Sequence, residues 1–184
     1  DNQNIIKVTD FGAGSTVFSS DERQISKIAQ VAGISKKRAN ILFNLVTKLQ
    51  PKKTLEIGTS LGLGTIALAS NKKPVFTLEG CSETAKIAQQ QFDVFGFNNV
   101  HLKIGNFKET LPEILKNNFF DLIYFDGNHQ KKATLNYFES CLNSASKNAI
   151  FIFDDIYWSK EMQQAWIKIK QHKKVKSTID TYQW

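Results

Sequence analysis

The residues of this sequence best placed to do chemistry fall in one glycine loop and at three apolar strand ends. The stretch EIGTSLGLGT, Glu56 to Thr65, sets glycines at positions 58, 62 and 64 between a short apolar strand and a small-residue helix. Glycine lets a backbone turn sharply and approach a ligand, and the helix amino terminus adds partial positive charge. Glu79 ends the next apolar run, VFTLE, at 79 − 58 = 21 positions beyond Gly58. A carboxylate there can accept both hydroxyls of a ribose. Further on, FFDLIYFDGNH ends in Asp126, Gly127, Asn128 and His129, and IFIFDDIYW repeats the arrangement with Asp154 and Asp155. Converging acids repel one another unless protonated or bridged by a cation, and an all-oxygen set suits a hard ion such as Mg²⁺. The His129 imidazole can accept a hydroxyl proton near neutral pH.

Each residue also has a structural reading. Asp154 or Asp155 can cap a helix that begins near Ser159, Asp126 can bind loop amides, and His129 can be a surface residue at a helix start. Tyr157 and Trp158 can line a planar substrate or pack in the core. A second glycine stretch, DFGAGS from Asp10 to Ser15, lacks an immediate helix after it and a second strand with an acidic end. It reads as a turn or a lid over the site.

Positioning these groups requires parallel strands. Short β-branched runs at Thr54–Ile57, Val75–Leu78, Val100–Ile104, Phe120–Phe125, Ala149–Phe153 and Lys176–Tyr182 alternate with helical patterns after the first five. That alternation predicts an α/β fold, a Rossmann-like doubly wound and mostly parallel sheet with helices on both faces. Ahead of it, SSDERQISKIAQVAG and SKKRANILFNLVTKLQ each begin with a serine cap and show helical periodicity. The expected organisation is one domain over 1–184, a helical lead-in or lid over 1–50 and a core over 51–184.

Length and composition fit that organisation. A chain of 184 residues can bury a core that needs no staples. Its 41% hydrophobic and 22% charged residues exclude disordered and fibrous classes. No apolar run is long enough for a membrane span, and DNQNIIKVTD lacks the pattern of a signal peptide. Cys81 and Cys141 are too few and too far apart for a disulfide framework, so a cytoplasmic setting is expected. The net charge of +7 comes mostly from scattered lysine pairs, which argues against a nucleic-acid footprint. The start at Asp1 and the stop after TYQW suggest a trimmed fragment, and a sheet edge left without its last strand would invite a homodimer.

The spacing E-x-G-x-x-x-G-x-G from Glu56 departs from the G-x-G-x-x-G of dinucleotide sites. It resembles the first motif of class I S-adenosylmethionine-dependent methyltransferases. The Asp-bearing strand ends resemble the metal-binding segments of the cation-dependent, catechol-type O-methyltransferases, with the similarity spanning roughly Lys53 to Trp166. The resemblance implies S-adenosylmethionine held by Glu56, Gly58, Thr59, Ser60, Gly62 and Gly64. It adds Glu79, Gly80 and Cys81 on the adenosyl side, Asn106 and Phe107 beyond the third strand, and Asp126 with Gly127. It further implies Asp126, Asp154 and Asp155 as ligands of Mg²⁺ or another divalent cation, Asp126 and His129 as catalytic groups, and a small hydroxylated acceptor, aromatic ones included. Asp155 stands where that family has Asn, and His129 replaces its lysine base; the D-G-x-H form resembles another branch of the superfamily. An RNA- or protein-directed methyltransferase and a non-catalytic S-adenosylmethionine-binding domain are the alternatives. Against the first, the NPPY-like or DPPY-like signature of amine-directed nucleic-acid enzymes is absent.

Overall fold

The protein is described by a computed structural model covering residues 2–15 and 17–181. Its elements are β1 (Ile5–Lys7), β2 (Glu22–Gln24), α1 (Ile25–Val31), α2 (Lys36–Leu49), β3 (Thr54–Ile57), α3 (Leu63–Leu68), β4 (Val75–Glu79), α4 (Ser82–Val94), β5 (Val100–Ile104), α5 (Phe107–Leu115), β6 (Phe120–Phe125), α6 (Lys131–Leu142), β7 (Ala145–Phe153) and α7 (Lys160–Lys170). Strands β3 to β7 form one parallel sheet in the order β5-β4-β3-β6-β7. The chain therefore leaves β3 in one direction for β4 and β5, then returns to its other side with β6 and β7. Between β3 and β6 lies the crevice where open α/β sheets hold ligands.

Both faces of the sheet are buried, which explains why β6 reads as a nearly unbroken apolar run and why β3 is buried at all four positions. On one face Leu55, Ile57, Ile123 and Phe125 pack with Phe107, Leu111, Phe138 and Trp166 from α5, α6 and α7. On the other, Val75, Leu122 and Tyr124 meet Leu42 and Val46 of α2 and Ala67 and Leu68 of α3. The lead-in has a smaller core of its own, in which Ile25 and Ile28 close on Leu61.

The lead-in differs from a purely helical one, because β1 and β2 form an antiparallel ribbon ahead of α1 and α2. The expected serine cap on α1 is not formed. The helix leaves β2 directly at Ile25, and the Ile25 and Ser26 amides donate to the carbonyls of Asn4 and Asn2, both at 3.0 Å. The opposing chain thus satisfies amides that a cap would otherwise serve. Ser35 does cap α2, its Oγ accepting from the Arg38 amide at 3.2 Å.

The strand expected over Lys176–Tyr182 is absent from residues 176–181, and Tyr182 lies outside the described residues. Asp180 Oδ2 accepts from Tyr157 Oη at 2.6 Å and from Trp166 Nε1 at 3.0 Å. These bonds tie the segment to the β7–α7 turn and to α7, and among the described residues β7 is one edge of the sheet, with β5 the other.

The tightest backbone approach occurs where β3 and β6 end. Gly58 has φ +108°, and a Cβ built on it would lie 2.4 Å from the Asp126 carbonyl oxygen. Neither feature tolerates a side chain. Gly58→Ala is expected to destabilise the fold by about 3 kcal/mol, read as a lower denaturation midpoint in urea, because strain and overlap act together. A midpoint equal to that of the unchanged chain would show that this turn relaxes freely.

Candidate functional site

A cavity of about 540 Å³ opens at the carboxyl ends of β3, β4 and β6, within the size range of small-ligand sites. Its wall includes Gly58, Ser60, Glu79, Gly80, Asp126 and Asp155. Parallel pairing makes this convergence unavoidable: β3 ends at Ile57, β4 at Glu79 and β6 at Phe125, all on one edge. DFGAGS is a loop that lines the same cavity.

The glycine loop works from inside the fold. Glu56 points into the interior with 1% exposure, and its Oε2 accepts hydroxyl hydrogen bonds from Thr65 at 2.5 Å and Thr77 at 2.6 Å. Thr59 Oγ1 joins the chain through Thr77 Oγ1, 2.5 Å away. Gly64 leaves room for this carboxyl, since a Cβ there would stand 3.2 Å from Glu56 Oε1. Glu56 thus lies behind the loop and fixes its shape, rather than lining the cavity. Gly62 starts α3 at φ +85°, packed under the Phe92 ring.

Glu79 stands at the cavity wall, its two oxygens held by separate amides. Ser60 N–H donates to Oε2 at 2.7 Å and Cys81 N–H to Oε1 at 2.8 Å. Burial raises its pKa, and these amides oppose the shift. Each carboxylate oxygen has a second lone-pair direction, so Glu79 can still accept hydroxyl donors from a ligand. Asn106 and Phe107 begin α5, where Asn106 Oδ1 caps the helix by accepting from Lys108 N–H at 3.0 Å. Phe107 lines the cavity, and Asn106 is outside its wall.

At the opposite side, ligand atoms of Asp126, His129 and Asp155 all lie within 4.8 Å of one another. Burial, then Asp154 and Asp155, push the Asp126 carboxyl well above the usual range. Burial also raises Asp155, against the lowering effect of His129 and Arg38. Asp154 serves a different bond set: its Oδ2 accepts from Tyr124 Oη at 2.8 Å, and Arg38 Nη1 stands 3.3 Å from its Oδ1. Among the described residues, two acids and a histidine are the groups whose ligand atoms lie together, while Asp154, also on the cavity wall, is engaged with Tyr124 and Arg38. Two oxygens and one imidazole nitrogen suit borderline ions such as Mn²⁺, Fe²⁺ or Zn²⁺ better than an all-oxygen set would. Neither acid caps the following helix; Ser159 does, accepting from Met162 N–H at 3.1 Å.

Sequence reasoning missed Arg38. It lies on α2, 116 residues from Asp154, and no local pattern marks it. It also missed the backbone geometry. Six described non-glycine residues have positive φ, and four of them, Ser60, Asn128, His129 and Asp155, line the cavity. Strained conformations gather where side chains must be aimed.

The strand order and the glycine turn define an α/β protein whose cavity lies at the switch point, where open sheets of this kind hold ligands. The profile of the family described as "Methyltransferase domain" matches residues 55–156, and the chain belongs to that family. Among curated relatives it is 29% identical over 142 residues to a catechol O-methyltransferase of Mycobacterium tuberculosis, covering 75% of this chain and 61% of that enzyme. The chain spans about three-fifths of the length of the curated relatives it first matches. An O-methyltransferase from Bacillus cereus in complex with SAH aligns with TM-score 0.70 at 23% identity, over 81% of this chain and 79% of the other. The SAH-bound methyltransferase PaMTH1 of Podospora anserina also reaches 0.70, at 20% identity over 77% and 72%. Among the described residues no helix is long and apolar enough to cross a membrane.

Glu56 generates a pH-dependent expectation. Burial lifts its pKa from 4.5 to about 7. The folded chain then holds this proton more tightly than the unfolded one, so its contribution is fully present below pH 4.5. That contribution is lost as pH rises through about 7, a fall of about 3 kcal/mol. Glu56→Gln removes the titration, and the difference in unfolding free energy between the two proteins is expected to change across pH 4.5 to 7. A difference that stays flat over that window would show that Glu56 is ionised throughout.

Proposed function

We propose that the protein transfers the methyl group of S-adenosylmethionine to an oxygen of a small hydroxylated acceptor, assisted by a divalent cation. The observation that carries this reading is one cavity with two different walls: a glycine turn with a ribose-type carboxylate on one side, and a mixed Asp/His cluster on the other. Family membership and the O-methyltransferase relatives support it. When bound, S-adenosylmethionine supplies an electrophilic methyl group, and a cation lowers the pKa of a hydroxyl beside it.

The chain's own work is to bind, orient and move a proton. Gly58 keeps the β3–α3 turn open to the cavity, and Glu79 takes the ribose hydroxyls on lone pairs its amide partners leave available. Asp126 and Asp155 would hold the cation together with His129 Nε2 or, with that nitrogen uncommitted, leave it to accept the acceptor's hydroxyl proton. Arg38 balances Asp154 and stands 3.8 Å from Asp155, which limits the negative charge beside the reacting oxygen. Trp158, 6.0 Å from the His129 ring, gives an acceptor an aromatic wall.

The test is turnover of S-adenosylmethionine with a panel of diphenols, before and after chelation. Activity is expected to fall at least about a hundredfold on chelation and to return with Mn²⁺ or Mg²⁺, and Asp126→Ala is expected to remain inactive in either case. Full activity of Asp126→Ala without metal would remove the cation from this scheme. S-adenosylmethionine binding without turnover of any hydroxylated acceptor would favour a binding domain.

A further inference from the structure

The glycines of DFGAGS have no part in the reading above, yet residues 7–13 cross the cavity as a strap with both ends tied. At one end Thr9 N–H donates to Cys81 Sγ at 3.3 Å, and the same sulfur meets the Lys7 carbonyl at 3.8 Å. At the other, Ala13 N–H donates to the Asn128 carbonyl at 2.9 Å and Asn128 Nδ2 to the Phe11 carbonyl at 3.0 Å. Gln130 Nε2 adds a bond to the Gly12 carbonyl at 2.9 Å. The contact is too close for a side chain: a Cβ on Gly12 would lie 2.6 Å from the Asn128 carbonyl oxygen.

Between the two ties the Phe11 ring stands over Gly80. A Cβ on Gly80 would fall 2.8 Å from Phe11 Cδ2 and 3.4 Å from Cε2, so the ring fills the space that a side chain at position 80 would take. Gly80 directly follows Glu79, so the part of a ligand beyond a ribose held there meets Phe11. The ring is nevertheless 49% exposed and lines the cavity, leaving an aromatic face uncovered. Nearby, Asn128 Oδ1 is buried without a partner among the described residues. A buried acceptor in a cavity wall is costly unless a ligand supplies the donor.

We infer that Phe11 is the platform on which the adenine ring of the methyl donor stacks, carried there by a strap that Cys81 and Asn128 pin across the site. Position 80 has no side chain of its own, so this chain provides the apolar face from its lead-in. The inference rests on the adenosyl reading of the Glu79 wall and makes Phe11 a binding residue for the base. The strap also ties the donor side of the cavity to the loop that carries Asn128 and His129.

The test is calorimetric titration of the intact chain with S-adenosylhomocysteine and with S-ribosylhomocysteine, which keeps the sugar and lacks the base. Phe11→Ala is expected to weaken the first about tenfold and leave the second unchanged, and Phe11→Trp to restore the first. Gly12→Ala keeps the ring but pushes the strap off Asn128, and is expected to reproduce the loss. Equal affinity of the unchanged and Phe11→Ala chains for S-adenosylhomocysteine, or an equal loss for both ligands, would overturn the platform. No binding of S-adenosylhomocysteine by the unchanged chain would overturn the adenosyl reading itself, and the platform with it.

Discussion

Negative charge held in a poorly solvated place is the constraint to which the rest of the site answers. Glu56, Glu79, Asp126, Asp154 and Asp155 all gather at or beneath the carboxyl edge of one parallel sheet, and burial raises the pKa of four of them. Each is compensated differently. Glu56 receives two threonine hydroxyls, Glu79 two backbone amides, and Asp154 a tyrosine hydroxyl and an arginine. For Asp126, burial and the neighbouring acids Asp154 and Asp155 outweigh the nearby Tyr124 hydroxyl, whose hydrogen bond goes to Asp154. Burial and the acids Asp126 and Asp154 push the Tyr124 phenol strongly upward, so it stays protonated and able to donate. An acid placed so unfavourably is stabilised either by holding its proton or by a cation, and Asp155 and His129 complete a set able to receive one.

Strain has the same distribution. Ser60 turns its amide to Glu79 from φ +50°, and Asp155 at φ +52° donates its own amide to Asp154 Oδ1 at 2.8 Å. Asn128 and His129 adopt φ +71° and +47° in succession, which delays α6 until Lys131. These conformations cost energy that the two buried faces of the sheet must offset. Packing on the two faces and chemistry at the edge are therefore coupled through the short turns between strand and helix.

Much of the core was legible in the sequence. The five parallel strands lie where apolar runs predicted them, with β7 starting four residues before the expected Ala149. Long-range answers were not legible. Nothing local in SKKRAN says that Arg38 will meet Asp154, and nothing in VFTLEG says that a ring from position 11 will cover Gly80. The alternation in KSTIDTY suggested a strand, but Asp180 found two donors on the adjacent turn and helix. Periodicity reports what a segment can bury, whereas pairing depends on partners elsewhere in the chain.

The lead-in carries most of what sequence patterns left hidden. Its ribbon and α1 close a small core on Leu61, inside the glycine loop itself, so the loop's far side is shaped by residues that precede the sheet. Arg38 then balances the acids on one side of the cavity, and the strap spans from Cys81 to Asn128 on the other. The sheet alone would offer an open edge lined with carboxylates. Roofed by residues 7–13 and charged by α2, that edge becomes a partly enclosed cavity in which water is scarcer and electrostatic interactions are stronger. A scaffold of this kind can keep its strand-end acids while the segment ahead of it changes, because a surface segment that roofs a site is under fewer packing constraints than the strands beneath it.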